Sequence, residues 1–261
     1  MIFTEFGIPS WNIELGNIKT PSLTLDEIFT YINKAETPSL IAIDEFQSIA
    51  LYPEKNTEAT LRTYIQQTNN AHFIFSGSQQ TMMNEMFVSA ARSFYQSVSL
   101  MNLGAIDEEK YGEFIRHHFE ANGRHIQEEA IHEVYQKFDG ITWYIQKTMN
   151  ALFAHTEKGE TCLLEHVKKA IDEIVSENSE SYSGILYQLS PSQKALLIAI
   201  GKEDKAKRIT GQKFIQAHHL PSSSSIQKAS QALQSKGLIT GERGVYEIYD
   251  KFMKLWIRSE Y

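Results

Sequence analysis

The 261-residue chain has almost no cysteine. Cys162 stands alone, so an internal disulfide is excluded and a reducing compartment, the cytoplasm, is the expected location. No apolar run reaches the length of about 18 residues that a membrane span requires, so no membrane partner is expected. Met1 leads into Ile2-Phe3-Thr4-Glu5-Phe6 without a basic stretch or a long apolar core, which is not a secretory leader pattern. The histidines do not gather at ligand spacing. His117-His118 and His218-His219 are adjacent, and neighbouring side chains on a helix diverge by about 100°. With no cysteine cluster beside them, no zinc site is expected. Proline is scarce, with six residues, and no internal repeat or long low-complexity stretch occurs; the four serines from Ser222 make only a loop. What the chain does have is 42% hydrophobic and 11% aromatic residues, enough for two or three packed units.

Charge divides the chain. The net charge is −7, yet residues 190–261 carry nine lysines and three arginines against six acids, a net +6, which leaves −13 on the residues before them. A basic terminal module on an acidic body suits a separate task, with nucleic-acid contact one candidate; a small domain that is merely lysine-rich is the other reading. Ser10 to Gly16 reads as an extended segment. Thr24-Leu25-Asp26-Glu27 reads as a capping box, with Leu25, Ile28, Tyr31 and Ile32 on one face of the helix that follows.

Leu40-Ile41-Ala42-Ile43 is a short unbroken apolar run, the pattern of a strand buried on both faces of a parallel sheet, and it stops at Asp44-Glu45. After a helix over roughly 54–67, His72-Phe73-Ile74-Phe75 forms a second run that ends at Ser76-Gly77-Ser78. Strand, helix and strand at this spacing predict a βαβ unit. From about Ile106 only helices are predicted: 107–122, 127–138, one capped by Thr142 and running to about 153, and 162–175, together a small bundle. Ser190-Pro191 opens the last unit as an N-cap and first helical residue. It holds helices to about 200, over 210–218 and up to 236. A hairpin follows, built around Gly241-Glu242-Arg243-Gly244, the pattern of a winged helix-turn-helix.

In open parallel sheets, ligands bind beyond the carboxyl ends of the strands. Asp44 and Glu45 lie at one such end, and Ser76, Gly77 and Ser78 at the other. Leu40 to Glu45 resembles a Walker B motif. That resemblance implies Asp44 as the Mg²⁺ ligand and Glu45 as the base that polarises the attacking water. Phe73 to Ser78 resembles the sensor-1 strand of AAA+ proteins, which implies γ-phosphate or water contacts for Ser76 and Ser78, with Gln79 a third candidate. Arg92, in Ala91-Arg92-Ser93-Phe94-Tyr95, stands where related proteins carry a basic residue. It reads either as a phosphate-facing arginine or as a surface one. Asp139-Gly140-Ile141-Thr142-Trp143-Tyr144 resembles the glycine-containing turn of the helical lid in the STAND branch, which implies nucleotide contact by Gly140 and Trp143. A plain helix stop explains the same glycine. Tyr249 to Trp256 resembles the closing segment of the family's winged helix.

The resemblance, from about Thr24 to Arg258, is to bacterial and archaeal AAA+/STAND-type ATPases with a C-terminal winged helix. It implies an α/β fold, a partial P-loop NTPase parallel sheet over 1–104, an all-α lid bundle over 105–189 and a winged helix-turn-helix over 190–261. ATP and Mg²⁺ are the implied cofactors. One departure decides the mechanism: no Gly-x-x-x-x-Gly-Lys-Ser/Thr occurs, and the residues before Asp44 hold only Gly7 and Gly16. That motif supplies the backbone N–H cradle, the phosphate-facing lysine and a hydroxyl for Mg²⁺. A start that omits the preceding portion is the first explanation, and a degenerate ATPase the second. Two function classes remain at this stage. One is a nucleotide-driven switch, inactive on its own. The other is a winged-helix module that binds DNA or protein through 190–261 without nucleotide chemistry. A protein partner or self-association fits either.

Overall fold

The computed structural model describes residues 2–3, 9–10, 21–54, 56–242 and 244–261. The extended segment expected over 10–16 lies outside them apart from Ser10, as do Gly7, Gly16 and Arg243. The chain forms two units, Met1–Asn102 and Leu103–Tyr261.

In the first unit, β1 (Ile2–Phe3) pairs antiparallel with β2 (Pro9–Ser10). α1 runs Pro21–Lys34, four residues earlier than the capping-box reading, with Thr24 as N-cap and Leu25 as first helical residue, places it. Proline, with its fixed φ and no N–H to lose, starts the helix, so Thr24 and Glu27 lie inside it. β3 (Ser39–Ile43) and β4 (Ala71–Phe75) pair in parallel, in register from Ser39 with Ala71 to Ile43 with Phe75. Between them come a 3₁₀ turn (Phe46–Leu51) and α2 (Thr57–Gln67); α3 (Gln80–Val88) follows β4.

Phe46, Met86, Phe87 and Phe94 form the core here. Phe75 packs against Phe46 at 4.2 Å, and Phe73 stacks on Phe29 at 6.1 Å between ring centres. Among the described residues the sheet is covered on that face alone. Leu40 (71% exposed), Ala42, His72 and Ile74 (51%) point to solvent, which corrects the expectation of strands buried on both faces. An unbroken apolar run states that both faces are apolar; it does not supply the second layer.

The second unit opens with α4 (Glu108–Ala121), capped by Asp107, whose carboxylate accepts from Lys110 N at 3.1 Å. Then come β5 (His125–Ile126), α5 (Glu128–Lys137), α6 (Thr142–His155), β6 (Thr161–Cys162), α7 (Leu164–Glu177) and α8 (Ser179–Tyr187). Thr142 is the first helical residue of α6, and Ile141 holds the cap position. β5 and β6 form a short parallel pair that the all-helical expectation omits.

α9 (Pro191–Lys202) begins with the Ser190–Gln193 capping box. β7 (Ala206–Lys207), α10 (Gln212–Ala217), α11 (Ser223–Ser235), β8 (Ile239–Glu242), β9 (Val245–Ile248) and α12 (Lys251–Glu260) complete the chain. The sheet is three-stranded, β7-β9-β8, and antiparallel, so the expected hairpin gains an edge strand. One continuous apolar core runs from Tyr111 to Ile257.

Candidate functional site

The ends of β3 and β4 are held together beyond the last strand pair. Ser76 N donates to Ile43 O at 3.0 Å, and Phe46 N donates to Ser76 O at 2.9 Å. This fixes Ser76 beside Asp44, and Ser76 Oγ donates to Asp44 Oδ1 at 2.7 Å. Glu45 N donates to the same oxygen at 2.9 Å. The Ser76 hydroxyl first, and then the Glu45 N–H, hold the Asp44 carboxyl below the usual carboxylate range, with slight burial opposing. Asp44 is therefore ionised at neutral pH.

Glu45 has φ 48° and ψ 40°, the left-handed region, where a residue with a Cβ carries roughly 1–3 kcal/mol of strain. Its Oε2 accepts from Ser78 Oγ at 3.1 Å and from Gln47 Nε2. Two carboxylates and two hydroxyls from the two strand ends thus form two matched pairs, Asp44–Ser76 and Glu45–Ser78, all four residues exposed. Sequence reasoning missed Gln47, which is 2% exposed with its Oε1 buried and unpartnered. Residue type alone does not signal it, because the contact runs through a left-handed Glu45.

Among the described residues no group of three or more His, Cys, Asp or Glu could hold a metal. Mg²⁺ does not require one, since it keeps water and phosphate oxygens and takes one or two carboxylates. Asp44 fits that habit: it is exposed, ionised, and accepts both of its hydrogen bonds through Oδ1. For the phosphates, the sequence supplies no glycine-rich cradle.

Arg92 is not brought to this cluster by any described contact. Its guanidinium pairs with Glu58 and, at 3.6 Å, with Glu85, beside a cleft of about 260 Å³ lined in part by Tyr52, Asn56 and Ala91. Gly140 and Trp143 belong to the second unit. Gly140 has φ +70°, follows Asp139 at φ 52°, and its N–H donates to Tyr135 O at 3.1 Å. A Cβ there would lie 2.6 Å from Ala105 Cβ. Trp143 is 61% exposed and meets Tyr144 edge-on at 4.9 Å.

In the same unit the solvent face of α11 presents Ser223, Ser224, Gln227, Lys228, Gln231 and Gln234, with no acid anywhere on the helix. Lys205, Lys207, Arg208, Lys213, Lys228 and Lys236 have no ion pair among the described residues.

A family model described as a probable winged helix domain matches residues 180–259. The fold resembles the structure of a Walker-type ATPase from Pyrococcus abyssi, with a TM-score of 0.61 at 16% identity. The likeness covers 90% of this chain and 66% of that one, so the chain spans just under two thirds of its neighbour. No curated protein matches the chain. The chain thus joins a mixed α/β fold similar to that of a Walker-type ATPase with a winged helix domain at its C-terminal end, and no helix among the described residues is long and apolar enough to cross a membrane.

Proposed function

We propose that the chain is a nucleotide-responsive switch of the AAA+/STAND type, acting in the cytoplasm, in which Met1–Asn102 carries the Mg²⁺ side of an ATP site. Residues 105–189 are read as its helical lid. The observation that carries this is the pair of carboxylate–hydroxyl contacts, Asp44–Ser76 and Glu45–Ser78, across the ends of two parallel strands. Ser76 keeps Asp44 ionised, which suits a hard cation; Ser78 steadies Glu45, which suits a base that orients water. Bound Mg²⁺·ATP would supply the phosphoryl group and the charge that draws these carboxylates into use. Gly140 and Trp143 are proposed nucleotide contacts of the lid, and Arg92 stays a proposed phosphate contact only if it leaves Glu58. The test is Mg²⁺·ATP titration followed on the backbone amide resonances of Asp44 and Ser76. Millimolar, Mg²⁺-dependent shifts that vanish in Asp44→Asn are expected, and resonances indifferent to nucleotide would sink the reading.

A second reading is favoured by the acid-free α11 face and its unpaired cations: the winged helix binds duplex DNA, with α11 in the major groove. Fluorescence anisotropy with a labelled duplex should then show binding that weakens steeply with salt and is lost in Lys228→Glu/Lys236→Glu. Salt-independent or absent binding leaves a protein partner as the target of this domain.

A further inference from the structure

We propose that Gln47 is a positioning residue that fixes the Glu45 carboxylate at the strand ends, an inference that rests on Glu45 being the water-orienting base. Gln47 is 2% exposed, yet its Nε2 reaches Glu45 Oε2, the same oxygen that accepts from Ser78. The amide has to present nitrogen there, because its oxygen would face another acceptor. The left-handed turn at Glu45 makes the contact possible, bringing residue 45 back over residue 47 at the start of the 3₁₀ turn.

The other end of the amide is equally confined. Gln47 Oε1 is buried without a partner and lies against Gly77. A Cβ on residue 77 would collide with Gln47 Oε1 and stand 2.7 Å from Met83 Sδ. The φ of Gly77 is not positive, so space rather than backbone conformation demands glycine there. Gln47 is therefore wedged between the carboxylate it holds and the loop that carries Ser76 and Ser78. A methionine of similar size would fill the same volume without an orphaned carbonyl, so packing alone does not account for an amide. Holding Glu45 does.

The test is nuclear magnetic resonance on the whole chain. The Gln47 Nε2 protons should exchange with water at least ~10-fold more slowly than those of exposed Gln227 and Gln231. Glu45→Ala should erase that protection while the β3 and β4 amide resonances stay in place. In Gln47→Met the Glu45 side chain, held in one rotamer in the wild type, should average over rotamers as exposed Glu109 does. This second measurement decides the matter should Glu45→Ala not fold. Exchange at the rate of the exposed glutamines, or a Glu45 rotamer unchanged in Gln47→Met, would overturn the proposal. A silent Mg²⁺·ATP titration beside an intact Gln47–Glu45 bond would instead remove the nucleotide reading, and with it the purpose assigned to the bond.

Discussion

Gly140 has two separate reasons to be glycine, and they can be measured apart. Its φ is +70°, and a Cβ would lie 2.6 Å from Ala105 Cβ and 2.8 Å from Tyr135 Oη. Gly123 shares the φ of +70°, but a Cβ there meets nothing within 4 Å. The left-handed conformation costs a side chain about 1–2 kcal/mol, and overpacking adds about 1–3 kcal/mol. Gly140→Ala should therefore lower the melting temperature by several degrees more than Gly123→Ala, at about 2–4 °C per kcal/mol for a unit of this size. Equal losses in the two variants would mean that conformation alone keeps glycine at 140. At this scale the sequence is legible where chemistry interrupts a pattern. Asp44 and Glu45 stand out because acids closing an apolar run need a reason. Gln47 does not stand out, because its contact depends on a left-handed glutamate, a conformation that residue type rarely signals. Nor does the pairing of Arg92 with Glu58, which joins residues 34 apart in the chain.

Elements were readable in proportion to how much of their period shows. α4, α5 and α7 have apolar residues at helical spacing, and Gly123 and Gly140 stop the first two, so their existence follows from the sequence. α8 does not: only Asn178 separates its start at Ser179 from the end of α7, and its polar start reads as loop. α12 was legible only as a closing segment. Its helix is set by Asp250, whose Oδ1 accepts from Phe252 N at 2.8 Å and Met253 N at 3.2 Å. α12 then docks on α6: Phe252 (1% exposed) meets Tyr144 at 5.2 Å, and the Tyr144 hydroxyl accepts from Lys251 N at 3.2 Å. This contact carries a pH dependence. Burial pushes the Tyr144 phenol from 10.0 up to about 12, with the Lys251 N–H opposing and the charge of Asp250 assisting. A raised phenol favours the protonated folded state, so its contribution is complete below pH 10 and is lost as pH rises from 10 to about 12. Lys251 moves the same way: burial lowers its pKa, but Asp139 and Glu247 outweigh burial and hold it above the ordinary lysine value. Urea unfolding at pH 9 and pH 11.5 should show a stability loss in the wild type that is smaller in Tyr144→Phe by about 1–2 kcal/mol, given 1.36 kcal/mol per pKa unit. Identical losses would show that the buried phenol is not what titrates.

For the whole molecule, the carboxylates proposed for the Mg²⁺ side, Asp44 and Glu45, stand in a sequence that contains no Gly-x-x-x-x-Gly-Lys-Ser/Thr cradle, and under the proposed reading that mismatch fixes the expected activity. In the proposed site Asp44 would hold Mg²⁺ and Glu45 would orient water, yet phosphoryl transfer is governed by positioning and by neutralising charge on the transferring group. Donors of that kind are worth roughly 10³ to 10⁵ in rate each. Without a glycine-rich loop and its lysine, the 261-residue chain is expected to bind ATP weakly and to turn it over no faster than Glu45→Gln does. A cradle from elsewhere would need a place to join, and the fold offers one. Among the described residues β3 and β4 pair only with each other, and Leu40 and Ile74 lie exposed on one face of their sheet. An unpaired strand edge beside an apolar face invites another strand, from a second copy or from a different chain. Steady-state turnover should therefore be measured over a range of protein concentrations, with sedimentation run in parallel. The expected outcome is self-association that grows with concentration while turnover per chain stays flat at the Glu45→Gln level. Turnover that rises with association would mean that a second copy completes the site, and turnover above the control in the monomer would mean that this chain holds a phosphate-binding segment of a different kind.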